Sequence, residues 1–402
     1  MTLEWPPLGM AGAVLLPALG HACHFVLALN ITSALGLRQR DLDRLRLMLL
    51  AVVLVTAGLL LQKHLETPWW LWLWPWRAYA ILCVVTGGVL LPVTSILVAV
   101  RKTPTGVVGR TQSVDLTFPE GPEALIGSGP HAWQLRLPGN ESFRLRLREW
   151  ELFSPHLPRG LDGLSLLQLS DLHLAPCFQP RFFEKVVLAA RRWDCDLVVI
   201  TGDLIDDDAM IPNLIRILEP LEARLGKFAI LGNHDAEHDL EGIRAALRQA
   251  GFTALEGKWQ KLECGGVPIA LGGTSAPWGE LCNPSEIPDA RFRILLSHAP
   301  DLFYRAWRWG VDLVLCGHNH GGQIRLPAVG PVFMPSIYSR RFDRGFFRRG
   351  QTLMYVSEGV AGKHPVRYGC PPEICRFVLR RGGGRGTELS EAAGSRMATL
   401  RL

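Results

Sequence analysis

Charge is scarce in this sequence. Charged side chains make up 20% of its 402 residues, below the usual quarter, and no dense basic stripe is present to hold a nucleic acid. The net charge of +6, carried mostly by Arg, suits an anionic small substrate or an anionic membrane surface. No basic region precedes the first apolar stretch, which argues against a cleaved signal peptide. A regular cysteine framework is also missing. Nine Cys, an odd number with seven in the soluble part, read as free thiols in a reducing compartment. Cys370 and Cys375 flank two prolines in 370-CPPEIC-375, but a zinc site would need a second such pair, and there is none. No internal repeat is present.

Apolar sequence is abundant, and it is concentrated in the first hundred residues. Three stretches run from about Leu8 to Leu29, Leu47 to Leu61 and Ala78 to Val100. The first and third are long enough to span a bilayer core; the second is marginal without snorkelling flanks. Between the last two lies 69-WWLWLWPW-76, the composition of a headgroup-level aromatic belt. Arg38, Arg40, Arg44 and Arg46 fill the first loop, and Arg101 and Lys102 follow the third stretch. Positive-inside reasoning then puts the N-terminus outside and the rest of the chain, after residue 101, in the cytoplasm. His21 and His24 sit one turn apart in the first stretch, with Asn30 beyond, and read as interhelical hydrogen-bonding groups.

Four segments follow from this composition: a membrane-spanning helical region (1–102), a linker (103–130), a soluble domain (131–382) and a flexible C-terminal tail (383–402). The linker reading rests on Gly, Pro, Ser and Thr content. From Trp133 to Leu152, polar and apolar residues alternate, notably in 143-FRLRLREWEL-152, as in a half-buried strand or hairpin. From Leu164 onward, short apolar runs at 164–169, 197–200, 228–231, 294–297 and 311–316 alternate with helical spacing at 181–193, 209–224 and 239–250. That alternation predicts an α/β sheet with helices on its faces.

Each apolar run ends in chemistry. The runs are followed by 170-SDLH-173, 201-TGDLID-206, 232-GNHD-235, 297-SHAP-300 and 317-GHNH-320. Ligands gather at the carboxyl ends of strands in α/β sheets, so Asp171, His173, Asp203, Asn233, His298, His318 and His320 are expected in one crevice. Mixed oxygen and imidazole donors suit Mn, Fe or Zn. Seven are too many for one ion, and a bridging carboxylate would allow two. The glycines at 202, 232 and 317 allow tight turns after the strands. Taken singly, Asp171 or Asp203 could be a helix N-cap and His298 a core histidine; five strand-end motifs in this order outweigh those readings. Asp206, Asp207 and Asp208 read as a helix opening.

Residues 164–320 resemble the calcineurin-like metallophosphoesterase superfamily, whose blocks are D-x-H, G-D, G-N-H-D/E, H and G-H-x-H. The resemblance extends over 352-TLMYVSEGV-360 and 372-PEICRFVL-379 as closing strands, and it is nearest to membrane-associated bacterial phosphoesterases of the YkuE and YaeI type. It implies a four-layer α/β/β/α sandwich of two mixed sheets, here preceded by a small transmembrane helical bundle. By position, Asp171, His173, Asp203 and His320 would hold one divalent metal ion. Asp203, Asn233, His298 and His318 would hold the other, with Asp203 bridging. His234 would serve the transition state or the leaving oxygen rather than a metal, and Asp235 would orient its imidazole.

The expected function is a membrane-anchored, dinuclear phosphoesterase acting on a phosphodiester or pyrophosphate, with the lipid bilayer as a partner and no nucleic acid. Some members of the family hydrolyse UDP-2,3-diacylglucosamine, which makes a lipid-linked substrate a concrete candidate. Two further readings stay open: a broad phosphomonoesterase or nucleotide phosphodiesterase merely anchored by its helices, and a non-catalytic membrane scaffold. The Arg-rich, aromatic segment 338-YSRRFDRGFFRR-349 is either a lipid-headgroup surface or a loop of structural arginines.

Overall fold

A computed structural model describes residues 7–67, 71, 73–117 and 121–382. The chain forms two compact units: residues 1–101 with 325–341, and residues 102–324 with 342–402. The expected C-terminal tail, and Trp69, Trp70 and Trp72 of the expected aromatic belt, lie outside the described residues.

The first unit is built on α1 (Pro7–Ser33), α2 (Gln39–Glu66), α3 (Trp74–Val85) and α4 (Leu91–Ala99); one π-helical turn at 86–90 joins the last two. Leu15–Ser33, Arg40–Lys63 and Trp74–Ala99 are each long and apolar enough to cross a membrane. The second of these is 24 residues long, so the stretch that looked marginal in sequence gains its length from helical continuation through its flanks. Polar groups inside the bundle pair across helices, as lipid surroundings demand. His21 Nδ1 meets the Tyr79 hydroxyl at 2.6 Å, and His24 Nε2 meets Thr86 Oγ1 at 2.8 Å.

In chain order the strands are β1 (Val107–Asp115), β2 (Arg144–Ser154), β3 (Ser165–Leu169), β4 (Leu197–Thr201), β5 (Gly226–Ile230), β6 (Phe252–Ala254), β7 (Trp259–Cys264), β8 (Val267–Thr274), β9 (Phe292–Ser297), β10 (Leu313–Cys316), β11 (Arg325–Leu326), β12 (Gly330–Pro331), β13 (Gly345–Arg349), β14 (Thr352–Val356) and β15 (Glu373–Arg381). The remaining helices are α5 (Pro180–Ala190), α6 (Ile211–Leu218), α7 (Leu240–Gln249) and α8 (Phe303–Arg308).

Two mixed sheets make the second unit, in the orders β1-β2-β15-β3-β4-β5-β6 and β13-β14-β10-β9-β8-β7. The apolar runs are continuous because both faces of their strands are covered. Along β4, Val198 and Ile200 face the core under α5, α6 and α7, while Leu197 and Val199 face the core between the sheets. The helix α8 packs beside β14 on the second sheet, which completes the expected α/β/β/α layering.

Three expectations change. Residues 107–115, read as linker, are strand β1, paired antiparallel with β2 from Val107–Leu152 to Asp115–Arg144. Their small and polar residues suit an edge strand as well as a loop, and only pairing distinguishes the two. Residues 132–136 form a 3-10 turn rather than a strand, so the hairpin partner of β2 comes from upstream. The soluble domain also lacks residues 325–341, which belong to the helical unit.

Candidate metal centre

All five motifs follow directly on a strand: β3, β4 and β5 of the first sheet, and β9 and β10 of the second. The chain must turn within one or two residues there. Asp171, His173, Asp203, His318 and His320 all take positive φ, between 44° and 67°, a region L-residues seldom occupy and one that clusters at functional sites. Asp171 and Asp203 are therefore not helix N-caps, whose backbone is extended. Of the glycines beside the motifs, Gly202 takes φ 92°. Gly317 is needed for space: a Cβ there would lie 1.9 Å from Ser170 Oγ and 2.5 Å from Asp171 Oδ2.

The seven expected donors come together. One ligand atom from each of Asp171, His173, Asp203 and His320 lies within 4.8 Å of the others, and the same holds for Asp203, His298 and His318. Asn233 joins the second set, its Oδ1 3.0 Å from His298 Nε2. Imidazole nitrogens face one another, His173 Nε2 to His320 Nε2 at 3.2 Å and His298 Nε2 to His318 Nδ1 at 3.2 Å. Asp203 sits in both sets. Its Oδ2 is buried with no hydrogen-bond donor, 3.5 Å from His173 Nε2 and 3.3 Å from His298 Nε2. A carboxylate oxygen left bare among imidazoles fits a cation between them. The donor set therefore suits two cations sharing Asp203.

The electrostatics are those of an anionic pocket ringed by histidines. Burial works against ionisation of Asp203, but His298, His234 and His173 hold its carboxyl well below the usual range. Burial, with Asp203 as a like charge, pushes Asp171 up despite His298 and His173. Burial disfavours the charged form of His173, yet Asp206, Asp203 and Asp171 outweigh it and raise the imidazole to about 9.

The His234 ring lies 4.5 Å, centroid to centroid, from that of His173, and its partner is not Asp235. The His234 Nδ1 lies 2.5 Å from Asp206 Oδ1, and Asp206 Oδ2 lies 3.0 Å from His173 Nδ1. Asp235 instead accepts the backbone N–H groups of Gly232, Leu204 and Ile205 at 2.8–3.2 Å. The carboxylate next in sequence to His234 is turned into the turn beneath it. Asp206, expected in a helix opening, turns inward; only Asp207 plays the capping part, accepting from Ala209 N at 2.9 Å.

Sequence reading also missed the groups behind the donors. A chain of hydrogen bonds runs from Gln168 Nε2 to Thr201 Oγ1, from Thr201 Oγ1 to Ser170 Oγ, and from Ser170 Oγ to Asp171 Oδ2, at 3.0, 2.7 and 2.5 Å. Trp278 lies against His318 with ring centroids 4.7 Å apart. Arg367, fully buried, donates to the carbonyls of Glu358 and Ala361 beside His320. Ser170 and Asp206 carried a faint signal, adjacency to Asp171 and a three-residue step from Asp203. Gln168, Trp278 and Arg367 carried none.

The cysteines are all free, and all but Cys23 are buried. Cys370 and Cys375 do not form one site: the first donates to the His320 carbonyl and Glu358, the second to the Tyr355 hydroxyl. In 338–349 the arginines make structural contacts. Arg344 pairs with Glu358 at 3.1 Å, Arg348 donates to the Thr105 carbonyl, and Arg349 lies over the rings of Tyr304 and Trp307.

A two-sheet sandwich that brings Asp, Asn and His from five strand ends to a shared aspartate defines a metal-dependent phosphoric ester hydrolase. The family model for calcineurin-like phosphoesterases matches residues 164–322, and the chain belongs to the calcineurin-like metallophosphoesterase family, which binds a dinuclear metal centre. It is 32% identical over 270 residues to the uncharacterized metallophosphoesterase YkuE of Bacillus subtilis, covering 64% of this chain and 92% of that one. It is 31% identical over 222 residues to the phosphodiesterase YaeI of Escherichia coli, covering 53% and 81%. It is 28% identical over 292 residues to the UDP-2,3-diacylglucosamine pyrophosphatase LpxG of Chlamydia muridarum, covering 58% and 88%.

Proposed function

We propose that this chain hydrolyses a phosphodiester or pyrophosphate bond in a lipid-linked substrate at the membrane, with its catalytic domain in the cytoplasm and Mn, Fe or Zn in the two metal positions. The observation that carries the reading is Asp203, whose bare Oδ2 sits among His173, His298 and the remaining donors. The helices that can cross a membrane and the pyrophosphatase name of one relative support the lipid-linked substrate. Arg38, Arg40, Arg44 and Arg46 support the orientation, although all but Arg38 lie at the start of α2 and not in the loop expected from sequence.

Two bound divalent cations would supply Lewis acidity toward the phosphoryl group and toward water. Asp171, His173, Asp203 and His320 would hold the first ion, and Asp203, Asn233, His298 and His318 the second. His234 is the acid: Asp206 occupies its Nδ1, so Nε2 is the atom that gives a proton to the leaving oxygen as the P–O bond breaks. The same Asp206 fixes the His173 tautomer through Nδ1, which directs Nε2 toward Asp203.

The test uses the full chain, stripped of metal, reconstituted with Mn²⁺ in nanodiscs and offered lipid-linked pyrophosphates and water-soluble phosphodiesters. Preferential turnover of the lipid-linked compounds is the expected result. Equal or better turnover of the soluble compounds would leave the helices as an anchor only, and no turnover of either would leave a scaffold.

A further inference from the structure

The excursion of residues 325–341 begins five residues after His320 in the sequence and belongs to the helical unit. It is fastened there by buried polar side chains. Asn30, near the end of α1 and almost wholly buried, donates to Ser339 Oγ at 2.9 Å and accepts from Met334 N at 2.8 Å. Arg340 donates to Ser95 Oγ at 3.2 Å and Thr94 Oγ1 at 3.3 Å in the middle of α4. Asn30 was thus a sequence signal for this attachment, since a polar amide in an apolar span needs a partner.

The fastened excursion leaves Leu326, Phe333 and Ile337 exposed. Phe333 forms one wall of a groove of about 520 Å³, lined otherwise by Phe25, Leu29, Asp43, Arg46, Leu47 and Leu50. The groove has a polar end and an apolar end. At the polar end Arg46 donates to Ser33 Oγ at 3.0 Å and to Asp43 Oδ1 at 3.1 Å. Toward the apolar end, Leu29 and Phe25 lie one and two turns further along α1. From the level of Ser33 to that of Phe25 is about 12 Å at 1.5 Å per residue, the direction in which a lipid runs from headgroup level into the hydrocarbon.

We propose that this groove, walled by α1, α2 and Phe333, holds the hydrocarbon chain of a lipid phosphoester, with the excursion 325–341 as its clasp. The occupant is a lipid because the groove lies on helices that can cross a membrane and its polar end lies at the arginine-rich start of α2, where anionic headgroups collect. The inference rests on the lipid-linked reading of the substrate. Asp43 sits beside Arg46 and partly offsets its charge, while Arg38, Arg40 and Arg44 around the start of α2 favour an anionic headgroup over a zwitterionic one.

The probe is a nucleotide linked through a pyrophosphate to diacylglycerol, with a diazirine in one acyl chain, offered to the full chain in phosphatidylcholine nanodiscs. Crosslinks are mapped by mass spectrometry. They are expected on the peptide carrying Phe333 and on those carrying Phe25 and Leu47, competed by excess unlabelled pyrophosphate lipid and not by phosphatidylcholine. Leu50→Trp, which fills the groove, and Phe333→Ala, which removes its wall, should each cut the Phe333 crosslink about tenfold, the equivalent of ~1.4 kcal/mol. Crosslinks spread evenly over the three helices, or unmoved by competitor and by both variants, would overturn the proposal. Turnover of a water-soluble phosphodiester by the same preparations reports folding independently of the groove. If the crosslinks behave as expected while the lipid pyrophosphate is never hydrolysed, the groove stands and the catalytic reading falls.

Discussion

The carboxylate of Asp206 spans two imidazoles, with Oδ1 2.5 Å from His234 Nδ1 and Oδ2 3.0 Å from His173 Nδ1. One side chain thereby orients both the proposed acid, His234, and a proposed metal donor, His173. Asp206→Asn should lower kcat by about 10–100-fold, the usual loss when such a partner is removed, with little change in Tm. Asp235→Ala should instead show as stability, since three buried N–H groups lose their acceptor; about 3 kcal/mol is expected. Paired kinetics and thermal melts on both variants check the split, and a large kcat loss with Asp206 dispensable would return the orienting role to Asp235.

Asp203 is common to both donor sets. Asp203→Asn should leave less than one equivalent of metal per chain and reduce turnover by about 10³-fold or more, in line with the loss of a main electrostatic stabiliser. His320→Ala should keep one equivalent. Elemental analysis of the purified variants reads this directly; unchanged metal content in Asp203→Asn would remove the basis for a shared carboxylate.

Chelation should abolish turnover, and Mn²⁺ should restore it. Because ions bound only by the folded chain stabilise it by mass action, metal at 100 times its dissociation constant should add about 2.7 kcal/mol. A melt that shifts upward with added Mn²⁺, and does not shift in Asp203→Asn, is the expected pattern.

Glu358 is fully buried among Arg148, Arg344 and Arg146. Burial raises its pKa, but the arginines, led by Arg148, outweigh that and bring it from 4.5 to about 2. A folded-state pKa below the unfolded one means stability that is complete above about 4.5 and lost as pH falls toward about 2. Glu358→Gln should flatten that part of the Tm-against-pH curve. At neutral pH it should also destabilise the fold by about 3 kcal/mol, because the partly buried Arg146, Arg148 and Arg344 lose the carboxylate they share, with Glu373 still beside Arg148.

At Gly317 a methyl group has no room, with Ser170 Oγ 1.9 Å from its position. Gly317→Ala should disturb the Asp171 and His318 turns together. Lost metal with a folded circular dichroism spectrum would place the effect at the site, whereas a wild-type metal content would show that the turn can yield.

Much of this protein was legible in its sequence because its signals are local. A strand covered on both faces must be apolar throughout, as 197-LVVI-200 is, and a helix in lipid must be apolar for some twenty residues. The motif following each strand is fixed by the same few residues that end it, so Asp171, His173, Asp203, Asn233, His298, His318 and His320 could be named together. Tertiary structure decided what depends on direction rather than on composition. Whether Asp206 or Asp235 meets His234 is settled by which way each turn points its side chain, and neighbouring positions in sequence give no preference. Whether residues 107–115 pair as β1 or hang as a linker depends on a partner strand some forty residues away. Whether 325–341 stays with the catalytic sheets or fastens to α1 and α4 depends on where Asn30 and Arg340 find their hydrogen bonds. The sequence determines which residue types can be buried and which chemistry they carry, since those follow from each side chain alone; pairing and orientation arise only when distant segments compete for the same donors, acceptors and space.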